Sequence, residues 1–504
     1  MLTMKNQSLD TKIELTHNDI FGLITDFERN YNVDKITLDD GTKIWNLLRV
    51  YLYNYQYVKM NFKKQSKSDL FHNLKYSILP LSIPYKKTKI CAFSTYRVRR
   101  YNGRCYYNRY IDPLYDLIND DITVFEWPHT GKKFLIDKTK ICSINYQRIH
   151  LSLFTKTFWN ILFYRIYKKI NFSINNQEIL IKILNDFSNK VNIDNNKLKN
   201  DVYEHIVFFR YMKKFFIKFI SRTNPSAVFM ICGYGSRHMA LSQVCKEKRI
   251  PSIELQHGLL VEHSPFYFKN INSENRDCIP EYLLTFGDIF SNIAKKGGLF
   301  NPKNIFTVGY PYLEEIKKSK PLEKKEIFYF ISNFDYIVLI SSQWNFADQI
   351  AQFILKVSKA LQDKKMNIGL ILKPHPKDNK KYDYLSNYKN ILLANKHSSV
   401  YELFKLVQIH STIYSTTGIE SLAFGKPNIF LNFDTNIKEI FNIVDNKSAF
   451  TASNALEYLE RLKMITSDYQ TISNYSKKRG EDFFKNNVKD NFKEFLDNTC
   501  IIKK

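Results

Sequence analysis

Short apolar runs recur along the chain, separated by stretches with helical spacing. One set is Lys89-Ile90-Cys91-Ala92-Phe93-Ser94, Ile122-Thr123-Val124-Phe125-Glu126, Ala227 to Gly233, Ile250 to Leu255 and Tyr282 to Gly287. A second set is Tyr336 to Ile340, Ile368 to Leu372, Ile391 to Leu393, Ile409 to Ile413 and Asn428 to Leu431. Apolar runs without polar alternation suit parallel strands covered on both faces. Between them the pattern turns helical, as from Met239 to Glu247 and from Phe346 to Leu361. Strand and helix in alternation predict α/β domains built on parallel sheets.

The flanks read differently. Residues 1–85 predict helices, one led by Asn18-Asp19 and one from Thr42 to about Met60 behind the Asp39-Asp40-Gly41 turn. Residues 149–222 are helical, aromatic and basic, and the chain after Ala449 is helical and polar. The expected map is a helical segment at 1–85 and a first Rossmann-like domain at 86–316 with a helical insertion at about 149–222. A lysine-rich linker follows at 317–325, then a second Rossmann-like domain at 326–470. Helices at 471–504 are expected to pack back on the first domain.

Candidate chemistry collects where strands stop, the edge at which open α/β sheets bind ligands. Pro374 and Pro376 cannot continue a ladder, so Lys373-Pro374-His375-Pro376 is a stiff loop holding an imidazole. Ser415, Thr416 and Thr417 offer hydroxyls ahead of Gly418, which would let a ligand approach the backbone. The helix expected from Ile419, with Glu420 in its first turn, would present amides to an anion. In the first half, Arg97 and Arg100 follow a strand and suit an acidic acceptor glycan, with a solvated basic loop as the bland alternative. Asp112 and Glu126 are acidic candidates for proton transfer. Gln256-His257-Gly258 ends a strand with an imidazole suited to deprotonating a hydroxyl near neutral pH.

Composition narrows the field. At 504 residues, 44% hydrophobic and 25% charged, the chain has room for two or three globular cores. A net charge of +26 calls for an anionic partner, such as nucleotide phosphates, an acidic glycan or an anionic lipid surface. No nucleic-acid-binding signature accompanies it. Seven scattered cysteines without a CxxC pair argue against zinc and against a disulfide framework, and fit a cytoplasmic setting. No run of about 18 apolar residues predicts a membrane-spanning helix.

The two motifs Lys373-Pro374-His375-Pro376 and Ser415-Thr416-Thr417-Gly418-Ile419-Glu420-Ser421, the latter running on to Gly425-Lys426-Pro427, resemble the C-terminal half of GT-B glycosyltransferases that build bacterial surface polysaccharides. They are similar to motifs of sialyl- and Kdo-transferases, which use CMP-sugars, and also to the CDP-glycerol glycerophosphotransferases. The resemblance implies two Rossmann-like domains facing a cleft and a nucleotide-sugar donor on the second domain. Lys373, His375, Ser341, Ser342 and the Ser415-to-Gly418 turn would hold the donor, and Glu420 its ribose. His257 would be the base, with Asp112 and Glu126 as competitors, and Arg97, Arg100 and Gln256 would meet a glycan or lipid-linked glycan acceptor. No metal or cofactor is expected beyond the donor itself. The favoured reading is a CMP-activated acidic sugar transferase at the inner face of the cytoplasmic membrane. A CDP-polyol phosphotransferase and a non-catalytic glycan- or membrane-binding protein are the alternatives.

Overall fold

The computed structural model describes residues 16–61, 87–95, 99–101, 105–118, 122–127, 146–148, 163–167, 169–170, 172–320, 325–378, 380, 382–413, 415–433, 445, 447–499 and 501. They fall into two compact units. Unit 1 takes the described residues up to Leu284, Ser291–Phe306 and those from Phe495 onward; unit 2 takes Thr285–Phe290 and Thr307–Glu494.

Unit 1 opens with helices α1 (His17–Asn30) and α2 (Trp45–Asn61). Thr16, not Asn18, caps α1: its hydroxyl accepts the Asp19 N–H at 3.2 Å, and the Asp19 carboxylate accepts the Thr16 N–H at 2.8 Å. The α1 stripe Ile20, Leu23, Ile24 and Phe27 is buried, and a buried Glu28–Arg49 pair at 2.8 Å joins the two helices. Helices α3 (Gln177–Lys190) and α4 (Asn195–Thr223) follow. The Asp39-Asp40-Gly41 turn docks on α4, with Asp40 2.9 Å from the buried Lys213 and Asp39 2.8 Å from Arg210. Along α4, Phe209, Met212, Phe216 and Phe219 are buried, so the apolar stripe of this basic, aromatic helix belongs to the core.

The sheet of unit 1 has seven strands: β1 (Ile90–Thr95), β2 (Ile122–Trp127), β3 (Tyr146–Arg148), β4 (Ala227–Ile231), β5 (Ser252–Leu255), β6 (Tyr282–Thr285) and β7 (Ile305–Thr307). Their order is β7-β6-β5-β4-β1-β2-β3, and the registered pairs from β6 to β3 are parallel. Helix α5 (Ser236–Lys248) connects β4 to β5. Order reverses between β4 and β1, the switch point of a doubly wound sheet.

Unit 2 has six parallel strands: β8 (Tyr336–Ser341), β9 (Ile368–Lys373), β10 (Ile391–Leu393), β11 (Ile409–Thr412), β12 (Asn428–Leu431) and β13 (Ala449–Ala452). The order β10-β9-β8-β11-β12-β13 reverses between β8 and β11. Helix α6 (Ala347–Asp363) packs Ile350, Ile354 and Val357 into the core with Ile340, Leu370 and Ile409. The last crossing from unit 1 into the body of unit 2 falls between Phe306 and Thr307, ahead of the lysine-rich stretch. Lys317 and Lys318 complete a helix begun by Pro311, Lys325 opens another, and 321–324 lie outside the described residues. No described helix is long and apolar enough to cross a membrane. Among the described cysteines, Cys91, Cys232, Cys245 and Cys278 are free thiols and Cys105 is disulfide-bonded.

Candidate active site

In unit 1 the switch point lies beside the turn that follows β4. Cys232 there adopts a left-handed backbone (φ 62°), and Gly233 and Tyr234 follow before α5. Beyond β5, the Gln256 N–H donates to Leu284 O at 3.0 Å and its amide to Gly258 O at 2.7 Å. With no exposed surface, Gln256 shapes the His257 loop and does not reach an acceptor, contrary to expectation. The Tyr110 hydroxyl donates to His257 O at 2.7 Å and fixes the same loop.

The His257 imidazole meets the Tyr234 hydroxyl through Nε2 at 3.3 Å, while Nδ1 is buried without a hydrogen-bond partner. Burial, then the Arg109 charge, hold its pKa down at about 4, so the ring is neutral at physiological pH. Tyr234 also bonds to the Cys232 thiol. When the Tyr234 hydroxyl accepts from Nε2–H, the lone pair stands on Nδ1, the form in which a neutral imidazole can take up a proton.

The competing acids are placed otherwise. Asp112 is buried and accepts the Asn108 N–H at 2.7 Å, closing the loop that carries Tyr110. Glu126 is 2% exposed, next to last in β2. Arg97 lies outside the described residues, and Arg100 is described for its backbone alone, in a short strand opposite Tyr107. Sequence reasoning passed over Glu254, a buried carboxyl in the middle of β5 whose pKa burial raises to about 7. A carboxylate between the apolar Ile253 and Leu255 of a short buried strand was the available signal.

In unit 2 the switch point lies between the ends of β8 and β11, flanked by Ser341-Ser342 and by Ser415-Thr416-Thr417. The Lys373-to-Pro376 loop follows the neighbouring strand β9. The Ser342 N–H donates to Lys373 O at 2.9 Å, and the Thr412 hydroxyl to Ser341 O at 3.1 Å, so the strand ends are tied together. His375 Nδ1 accepts the Lys377 N–H at 3.1 Å, which leaves the ring proton on Nε2. The hydroxyls of Ser342 and Thr417 are buried and unpartnered. Buried donors in that state are what a phosphate or ribose would satisfy.

Four expectations are corrected here. Lys373 turns inward, donating to Pro374 O at 3.0 Å and Lys396 O at 2.8 Å, and burial pushes its pKa down to about 8; it shapes the loop. The Ser341 hydroxyl donates to His410 Nε2 at 2.8 Å, and His410 Nδ1 donates to Asn428 at 2.6 Å. The helix after Gly418 is a single turn, α7 (Thr417–Glu420), running into a 3₁₀ turn. Its amides are occupied: Gly418 N–H reaches Ser415 O, while those of Ile419 and Glu420 reach Thr416 O, so no free helix N-terminus awaits an anion. Gly418 is a packing glycine, since a Cβ there would stand 2.6 Å from the Phe430 ring. Glu420 is 9% exposed in α7, and Thr416 is half-buried.

Solved structures share this architecture at low identity. The S. aureus MnaA–UDP co-structure aligns over 83% of this chain and 98% of its own, at 13% identity and a TM-score of 0.50. A putative UDP-N-acetylglucosamine 2-epimerase from Listeria monocytogenes aligns over 83% and 98%, at 10% identity and 0.52. UDP-GlcNAc 2-epimerase from Neisseria meningitidis, bound to UDP-GlcNAc, aligns over 81% and 99%, at 14% identity and 0.51. At such identities they show the fold, which is GT-B-like. No curated protein matches the chain. The model of the CDP-glycerol:poly(glycerophosphate) glycerophosphotransferase family matches residues 213–482, more than half of the sequence and a span that includes both His257 and His375. The chain is a transferase of that CDP-glycerol:poly(glycerophosphate) glycerophosphotransferase family.

Proposed function

We propose that the protein transfers a polyol phosphate from a CDP-polyol to a hydroxyl of a bacterial surface polymer or its lipid-linked precursor. The observation that carries this reading is the family match, whose span includes the His257 loop of unit 1 and the strand ends of unit 2. An acceptor hydroxyl attacks the β-phosphorus of the donor. Its proton passes to the His257 imidazole, the new oxygen–phosphorus bond forms, and the bond to the α-phosphate oxygen breaks to release CMP. His375 Nε2–H and the hydroxyls of Ser342 and Thr417 hold the diphosphate in unit 2, offering donors where charge develops. Glu420 and Thr416 line the donor's ribose side.

The CMP-activated acidic sugar is the runner-up donor. Purified protein is incubated with CDP-glycerol or with a CMP-sugar, and CMP release and acceptor mass are measured. Growth of the acceptor by glycerol phosphate supports the proposal, and transfer from the CMP-sugar alone overturns it. An anionic membrane surface is the proposed setting, supported by the +26 charge and by the exposed Phe163, Ile166 and Tyr167. Sedimentation with anionic but not neutral vesicles, weakened by salt, is the expected result. Equal behaviour with both vesicle types removes that partner.

A further inference from the structure

Glu254 stands apart from the machinery described so far. It lies in β5, two residues before Gln256, and is 1% exposed. Its carboxyl accepts the Tyr267 hydroxyl at 3.2 Å and the backbone N–H of Gly233. Gly233 is required for this: a Cβ there would sit 2.4 Å from Glu254 Oε2 and 2.6 Å from the Pro280 ring. The groups facing the carboxyl are therefore Gly233, with Cys232 and Tyr234, from the turn after β4, Tyr267 from the loop after β5, and Pro280 from the approach to β6. None of them is a cation.

The next residue after Gly233 is Tyr234, whose hydroxyl meets His257 Nε2. Its ring stacks on Phe266, centroids 4.2 Å apart, and stands edge-on to Tyr267 at 6.1 Å. A buried carboxyl thus grips the backbone of the turn on one side and the packing neighbour of Tyr234 on the other.

We propose that Glu254 is a positioning residue, which seats the Cys232–Gly233–Tyr234 turn and through the Tyr234 hydroxyl fixes the orientation and tautomer of His257. This rests on the reading of His257 as the base. Both donors to Glu254 favour its ionised form, while burial opposes it and raises the pKa to about 7. The seat is therefore tightest above neutrality and slackens as the carboxyl takes a proton.

The test uses the full chain labelled at histidine Cε1. In the wild type the His257 resonance should shift with a midpoint near 7 as Glu254 titrates, and Glu254→Gln should abolish that step. Tyr267→Phe removes one donor to the carboxylate and should move the step to higher pH, a check that survives if Glu254→Gln folds poorly. In transfer assays Glu254→Gln should lower kcat by about tenfold or more, less than the ~10²–10⁴-fold for the base itself, with donor KM unchanged. Its effect should largely vanish in a Tyr234→Phe background. A His257 resonance indifferent to both variants, or additive losses with Tyr234→Phe, overturns the proposal. The resonance needs no substrate, so its failure counts against Glu254. An intact titration in a protein that transfers nothing counts against the proposed reaction.

Discussion

At the C-terminal edge of the unit 1 sheet, Tyr234, Glu254, His257 and Tyr267 form a run of ionisable groups linked by ring packing and hydrogen bonds. At the same edge of the unit 2 sheet, the groups left without partners include the hydroxyls of Ser342 and Thr417, beside a loop stiffened by two prolines, and the amide oxygen of Asn432. Both sheets are doubly wound, and the candidate residues of both stand at or near the strand ends. The difference lies in what is buried. Burial of titratable groups moves pKa values and suits proton transfer. Burial of unpaired hydroxyls leaves donors waiting for an anion and suits holding a ligand.

The largest expected effect separates these roles. His257→Ala should lower turnover by about 10²–10⁴-fold and leave nucleotide affinity within twofold, measured by transfer rate and calorimetry. A wild-type rate would move the base to Asp112 or Glu126. His375→Ala should do the reverse and weaken CDP binding by roughly 1.5–3 kcal/mol, the range for a hydrogen bond to a charged group. The same loss for His257→Ala would erase the contrast between the regions. Gly418→Ala drives a methyl into Phe430 and should destabilise the fold by about 1–3 kcal/mol, with partial recovery in Gly418→Ala/Phe430→Leu. Normal melting with lost nucleotide binding would restore Gly418 to the ligand.

A fourth outcome concerns pH. Burial holds His410 at about 3, below its ordinary 6.5. Unfolding lets it take up a proton, so its contribution is present above pH 6.5 and is lost as pH falls towards 3. His410→Gln should therefore flatten the acid slope of stability by up to about 1.4 kcal/mol per pH unit, read from urea unfolding between pH 7 and 5. An unchanged slope would show that His410 is not titrating. The smallest effects belong to the hydroxyls. Ser342→Ala and Thr417→Val should each weaken CDP binding by about 0.5–1.5 kcal/mol. Melting without nucleotide should stay put, because neither hydroxyl has a partner in the chain to lose. A drop in melting temperature alone would reassign them to the core.

The strands were legible because parallel sheets covered on both faces demand unbroken apolar runs, and Ile368 to Leu372 offers no other reading. The placement of His257 and His375 in loops just past strand ends was legible because apolar runs stop shortly before each of them. What escaped the sequence were side-chain directions. Lys373, Ser341 and Gln256 are polar residues at strand ends, as ligand contacts would be, yet each points its donor at its own chain. Gly418 failed for a related reason: its neighbour in space, Phe430, is a strand away, and no local pattern records it. Glu254 and His410 were hidden inside strands, where periodicity marks burial but not which partner a polar atom will find.

Unit 1 is closed by residues far along the chain. Phe495 packs on Tyr282 and Phe306, at 6.0 and 5.1 Å between ring centroids, and belongs to unit 1 although all of unit 2 precedes it. On the ribosome, β6 and β7 emerge long before Phe495 does, so that edge of the first sheet waits, its aromatic face uncovered, while the whole second sheet is synthesised. Folding of this chain is therefore not a simple vectorial sequence of one unit and then the next. Truncation just before Phe495 should yield a protein whose damage appears in the unit made first.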